Sequence, residues 1–170
     1  MPTPHRAVAA LAGLTLLLAA CEPLAADPPD TTVDLPPCEW VEVDRVVDGD
    51  TLVVLIDGDT DRVRLTGIDT PETVAPDQPV EPYGLEASAL TRTLLEDGWV
   101  CLERDISDRD RFDRLLRYGW LEDGRMLNEE LLRAGLANVV TFPPDVKYHE
   151  TRLLPAQDEA RAASRGIWSQ

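Results

Sequence analysis

Two Asp-Gly pairs, Asp48-Gly49 and Asp57-Gly58, separate three short runs rich in Val, Leu and Ile: Val41 to Val47, Thr51 to Ile56 and Arg62 to Ile68. Asp-Gly between apolar runs is hairpin chemistry, because both residues tolerate the positive φ of a tight turn. The folded part of the chain therefore opens as an antiparallel meander. The period then changes. Leu85, Ala89, Leu90, Leu94 and Leu95 recur at helical spacing within Tyr83 to Glu96, and Gly98 closes that helix. Trp99 to Glu103 and Leu115 to Leu121 read as two further strands. Met126 to Ala134 is a short helix with Leu127, Leu131 and Leu132 on one side, stopped by Gly135. His149 to Ser164 is a third helix that Pro155 either starts or kinks. This order predicts an α+β fold, a five-stranded β-barrel of the OB type with three helices around it.

The chain has 170 residues, enough for one domain with a genuine core plus a tail. Its only histidines are His5 and His149. That excludes His-rich zinc sites and the paired-His metalloprotease motif, and leaves little for Ser-His or Cys-His catalysis. Neither common Gly-rich phosphate loop occurs. Carboxylates and arginines remain, which points to a hard metal ion and an anionic substrate.

Residues 1–20 read as an address. A basic start at His5-Arg6 precedes an apolar run from Ala7 to Leu18, too short for a stable membrane span. Leu18-Ala19-Ala20-Cys21 resembles the bacterial lipobox, in which Cys21 is lipidated and becomes the mature N-terminus; the alternative is an ordinary signal peptide cleaved nearby. Losing Arg6 takes the net charge from -16 to -17. Residues 21–37 are rich in Pro and Asp without a period and read as a tether, leaving 38–170 as the domain. In an oxidising compartment Cys38 and Cys101 are a candidate disulfide or two separate buried thiols, and their spacing does not decide.

Asp50, Asp69, Glu72 and Arg64 fall at or near the ends of adjacent expected strands. Strand ends joined by a hairpin can bring two carboxylates to one hard cation with a backbone carbonyl nearby. Pro71 stiffens the exit from the third strand and keeps Thr70 out of the helical region. Arg64 and Asp69, five apart on one run, alternate faces unless a bulge intervenes near Gly67. The acids of Asp57-Gly58-Asp59-Thr60-Asp61 mimic an EF-hand start, but Arg62 replaces the required Gly and Ile68 the closing Glu, so that stretch is an acidic hairpin turn.

Asp48-Gly49-Asp50-Thr51, Arg64, Asp69-Thr70-Pro71-Glu72, Tyr83-Gly84 with Glu86-Ala87, and Asp110-Arg111-Phe112-Asp113-Arg114 resemble the staphylococcal nuclease (thermonuclease) family. Asn128-Glu129, Gly135-Leu136-Ala137 and Gly166-Ile167-Trp168 continue the likeness in order, from about Val41 to Ser169. The resemblance implies an OB barrel with three helices and a calcium-dependent phosphodiesterase that cleaves DNA and RNA to 3′-phosphate products. Carried over by position, it implies that Asp50 and Asp69 ligate Ca2+ through carboxylates and Thr70 through its carbonyl. Glu72 would act as general base or orient the attacking water, and Arg64 and Arg114 would grip phosphate oxygens. Arg111, Phe112 and Tyr148 are candidate substrate contacts.

Departures from the family pattern shape the expected partner. Thr73 to Pro82 contains no Lys or Arg where the family's known nuclease has a basic loop. Thr141 stands in place of a nucleotide-stacking tyrosine, with Phe142 next to it, and Asp113 replaces a glycine before the second arginine. The acidic balance repels polyanions, so weak, cation-dependent binding of single-stranded or short nucleic acid is expected. Competing expectations are an inactive OB module that binds a nucleotide, single-stranded nucleic acid or a protein, and a calcium-stabilised surface protein. The retention of all six reactive positions favours the enzyme. A lipid-anchored monomer of the bacterial cell envelope is the resulting expectation.

Overall fold

The computed structural model describes residues 27–73 and 79–169; Cys21, residues 1–20 and Val74–Gln78 lie outside them. β1 (Glu39–Val46), β2 (Thr51–Ile56) and β3 (Asp59–Leu65) form the expected meander. Its second turn, Asp57-Gly58, has φ of 52° and 89°, the two positive values that a two-residue type I′ hairpin demands. After β4 (Ile68–Asp69) and helix α1 (Gly84–Leu94) come β5 (Trp99–Glu103) and β6 (Leu115–Trp120). The barrel closes in the order β1-β2-β3-β6-β5, all antiparallel except the parallel β3–β6 pair. This is the five-stranded barrel with three helices that the sequence predicts.

Two expectations about elements change. The third run does not continue to Ile68. Gly67, at φ 81°, turns the chain out of β3, and β4 pairs instead with β7 (Asn138–Val139), a strand of two residues with no periodic signature. Helix α1 packs Leu90 and Leu94 against the core, with Leu95 buried just past its end, as the leucine spacing predicts, but the residues it buries most completely are small ones. Gly84, Ala87, Ser88 and Thr91 are buried, whereas Leu85 is 63% exposed. The cause is a close approach: the Thr91 hydroxyl donates to the Gly49 carbonyl at 2.7 Å, and a Cβ on Gly49 would come within 2.8 Å of the Ala87 Cβ. Only small side chains fit between this helix and the β1–β2 turn.

α2 (Leu127–Arg133) packs Leu127, Leu131 and Leu132 into the core beside Leu52, Val63 and Tyr118. Its buried Asn128 accepts the Gly119 N–H at 3.0 Å and donates to the Thr66 carbonyl at 2.8 Å, fastening the end of β3 to β6. A π-helical turn, His149–Leu153, leads into α3 (Leu154–Ala162), and Pro155 lies in the first turn of α3, so it starts that helix. Cys38 and Cys101 are bonded, with Cα atoms 5.5 Å apart.

The segment before β1 reads as a tether by composition, yet its second half lies on the domain. The Thr31 hydroxyl donates to the Glu122 carbonyl at 2.9 Å. Val33 packs so tightly that a Cβ on Gly124 would come within 2.7 Å of it, and Leu35 rests on the core. Thr31 and Leu35 are half-buried and Val33, 41% exposed, rests on Gly124, so alternate residues of the strap touch the domain.

Candidate active site

Asp50 sits where the β1–β2 turn enters β2 and is only 4% exposed. Its N–H donates to Asp48 Oδ1 at 3.1 Å, and its carbonyl accepts the Leu65 N–H at 2.8 Å, so backbone bonds fix it against β3. Its Oδ2 accepts the Thr70 N–H at 2.8 Å. Arg64 lies opposite Thr51 on the neighbouring strand. Its guanidinium forks: Nη1 is 2.5 Å from Asp50 Oδ2, and Nη2 is 2.7 Å from Asp69 Oδ1. The turn at Gly67 is what lets residues 64 and 69 meet.

Electrostatics make this centre unusual. Burial pushes the Asp50 carboxyl up to about 6; Asp48 and Asp69 push the same way, and the Arg64 guanidinium and Thr70 N–H oppose them without prevailing. One guanidinium serving two carboxylates leaves negative charge over. Among the described residues no group of three or more His, Cys, Asp or Glu side chains gathers to hold a metal. The carboxylates that meet here on one guanidinium are Asp50 and Asp69, an oxygen-only pair suited to a hard cation with open positions.

Arg114 immediately precedes β6. The parallel register pairs Arg64 with Leu116, two residues beyond Arg114, which places both arginines on one face. Asp110 holds Arg114 from below, accepting from its Nε and from its backbone N–H at 2.7 and 3.0 Å. Burial works to raise the Asp110 carboxyl, but those N–H groups, that of Phe112 and the guanidinium outweigh it and hold it below the usual range. Arg64, Asp69, Arg111, Phe112 and Arg114 share one cleft of about 580 Å3. The Arg111 guanidinium lies 4.6 Å from the centre of the Phe112 ring. Asp113 stands in solvent with its side chain 90% exposed, and its φ of 64° explains why a glycine also suits that place.

Glu72 is half-buried and set by its neighbours. Its N–H donates to Glu81 Oε2 at 3.0 Å, its carbonyl accepts the Glu81 N–H at 2.9 Å, and its Oε1 accepts the Thr73 N–H at 2.8 Å. A Cβ on Gly84 would meet its carbonyl at 3.1 Å, so the start of α1 presses directly on this segment.

Tyr148 is not brought to the cleft. Its ring packs edge-on against Tyr118 at 4.9 Å, and its hydroxyl donates to the buried Glu103, which also accepts from Trp120 and Lys147. The aromatic wall is instead Phe142, 70% exposed and lining the cleft. Asp145, buried, accepts the N–H groups of Ile106 and Ser107 at 3.0 and 2.7 Å and so pins that wall to the Arg111 side. The sequence signal for Phe142 is its place beside Thr141, the position of the family's stacking tyrosine.

Comparison with known proteins agrees with this geometry. A family model described as staphylococcal nuclease homologue matches residues 62–170. The chain is 45% identical over 128 residues to a thermonuclease of Staphylococcus hyicus, covering 75% of each chain. It is 45% identical over 130 residues to the thermonuclease of Staphylococcus intermedius, again with 75% of each covered. Endonuclease YncB of Bacillus subtilis (strain 168) is 42% identical over 132 residues, 76% of this chain and 62% of its own length.

Proposed function

Because this chain belongs to the staphylococcal nuclease family and is a phosphodiester-hydrolysing nuclease, we propose that it is calcium-dependent, cleaves DNA and RNA, and works from a lipid-anchored position in the bacterial envelope. The observation that carries the reading is the Arg64 fork between Asp50 and Asp69, with Arg114 on the same face.

Nucleases of this family need a metal ion, and Asp50, Asp69 and the Thr70 carbonyl are the residues that would hold calcium here. A bound divalent cation would supply the positive charge that Asp50 and Asp69 now draw from Arg64, leaving its fork for phosphate. Attack on the phosphodiester builds charge on the non-bridging oxygens. Arg64 and Arg114 stabilise it because their guanidiniums match paired oxygens, and Asp110 fixes the second of them. Glu72, on a backbone locked to Glu81 and α1, takes a proton from the attacking water or orients it. The water oxygen bonds to phosphorus, the P–O5′ bond breaks, and O5′ leaves as a 5′-hydroxyl with a proton from solvent, so the 3′-phosphate remains.

The substrate-gripping surface supports single-stranded or short nucleic acid. Phe112 and Phe142 offer faces for unpaired bases, which stack at about 1–3 kcal/mol each. The net charge of -16 gives little non-specific attraction to duplex DNA. The protein acts as a monomer in this reading. The full chain with denatured DNA in millimolar calcium should show cleavage that EGTA abolishes and that Glu72→Ala and Arg64→Ala both lose. A folded protein without cleavage across salt and pH would instead favour a binding module.

A further inference from the structure

Two walls of the cleft come from loops far apart in the chain, and one buried side chain joins them. The first wall is the turn from Phe142 to Asp145. The Asp145 N–H donates to the Phe142 carbonyl at 3.0 Å, and the residues between are Pro143 and Pro144, whose rings fix φ. Such a turn moves as one piece, so whatever holds Asp145 also holds the Phe142 ring. The second wall is the connection into β6, which carries Arg111, Phe112 and Arg114. Asp108 fixes its middle to the barrel: the Asp108 carbonyl accepts the Leu116 N–H at 2.9 Å, and its Oδ1 is 2.7 Å from Arg117 Nη2.

Asp145 spans the two. Its single Oδ1 accepts the N–H groups of both Ile106 and Ser107, 39 and 38 residues away in the chain, and the residue is 6% exposed. Burial works to raise its carboxyl, but the Ser107 hydroxyl and these N–H groups outweigh it and hold it below the usual range. The far end of the loop is secured separately. There the Lys147 N–H donates to Asp105 Oδ2 at 2.9 Å, and the Tyr148 hydroxyl donates to Glu103 Oε2 at 3.1 Å. The phosphate clamp is independent as well, because Asp110 aims Arg114. What the Asp145 carboxylate alone controls is the place of the Phe142 tip relative to the arginine-bearing wall.

Resting on the reading that the cleft receives an unpaired base of a nucleic acid against Phe142, we propose that Asp145 is a positioning residue for that base. It holds the Phe142 ring ordered before substrate arrives, so binding does not have to fix the turn. Its effect falls on binding of the base and leaves the chemistry at phosphorus to the arginines and Glu72.

The test uses the full chain in millimolar calcium with two substrates: a short single-stranded oligonucleotide, and the same strand with abasic sites flanking the scissile phosphate. Asp145→Ala should raise KM on the base-bearing strand about tenfold, the weight of one stacked base, with kcat within about twofold. Asp145→Asn keeps the Oδ1 acceptor and should stay within about threefold of the unsubstituted chain. On the abasic strand Asp145→Ala should change neither constant, and added to Phe142→Ala it should give no further rise in KM. A loss of kcat, an equal rise on the abasic strand, an Asn variant as impaired as the Ala variant, or additive effects with Phe142→Ala would overturn the proposal. Should Asp145→Ala fail to fold, Asp145→Ser, with one short acceptor, replaces it under the same controls at a rise of about threefold. An unsubstituted chain that cleaves neither strand sinks the nuclease reading instead. Anisotropy of the two strands labelled with fluorescein then decides the proposal: Asp145→Ala should weaken binding of the base-bearing strand alone, and equal binding by both proteins refutes it.

Discussion

Two buried carboxylates in this molecule meet arginine in opposite proportions. Glu129 on α2, 5% exposed, receives two guanidiniums, from Arg133 and from Arg152, and so ties its helix to the turn that leads into α3. Asp50, equally buried, shares the one guanidinium of Arg64 with Asp69 and has Asp48 alongside. The first arrangement is complete in itself and holds the fold. The second retains negative charge in a dry place, which in the proposed reading a hard cation relieves. The ratio of partners, rather than the residue types, distinguishes a structural ion pair from a reactive centre.

Changing the Arg64 fork without changing its charge is the strongest way to break that contrast. Arg64→Lys should cut kcat by about 10²- to 10³-fold, because an ammonium cannot span two oxygens, while the melting midpoint barely moves. Near-normal turnover in that variant would show that charge alone suffices.

The next effect concerns pH in the calcium-free protein. The folded Asp50 carboxyl is raised from 3.8 to about 6, so the folded state binds its proton more tightly than the unfolded state does. Stability therefore falls as pH rises from about 4 to about 6, then levels off, at a cost of about 3 kcal/mol from this group. Asp50→Asn should remove that slope in EGTA, and for the unsubstituted chain calcium affinity should weaken below pH 6. Urea titrations of both proteins that give parallel pH profiles would contradict the assignment.

Glu129→Gln should have the smallest effect of the three and on a different quantity. Arg133 and Arg152 are partly exposed, so the loss should be about 1–2 kcal/mol of stability, with turnover per folded molecule unchanged. A matching loss of turnover would mean that the two carboxylates are not separable into a structural and a reactive one.

The sequence carried the barrel because its hairpin turns are chemical: Asp57-Gly58 adopts the φ values that its residues favour. It pointed to Asp50, Arg64 and Asp69 as strand-end residues, and the turn at Gly67 brings the three together on one guanidinium. The leucine spacing found Leu90, Leu94 and Leu95, but Gly84, Ala87, Ser88 and Thr91 were illegible because contact with the Gly49 turn selects small residues that a hydrophobic count passes over. β4 and β7 have two residues each, too few to show a period. Phe142 and Tyr148 are both aromatic in one loop. Which of them faces the cleft depends on Glu103, a buried acceptor more than 40 residues away that claims the Tyr148 hydroxyl.

The parallel ladder between β3 and β6 has a consequence for how this protein tolerates change. It works as a zipper that meters the distance between the two guanidiniums, so the connection from Glu103 to Arg114 does not have to. Residues inserted or lost in that connection leave the teeth engaged. One residue removed inside β6 turns every later side chain to the opposite face. Length drift therefore belongs ahead of Asp110, whose bonds to Arg114 keep the second guanidinium aimed.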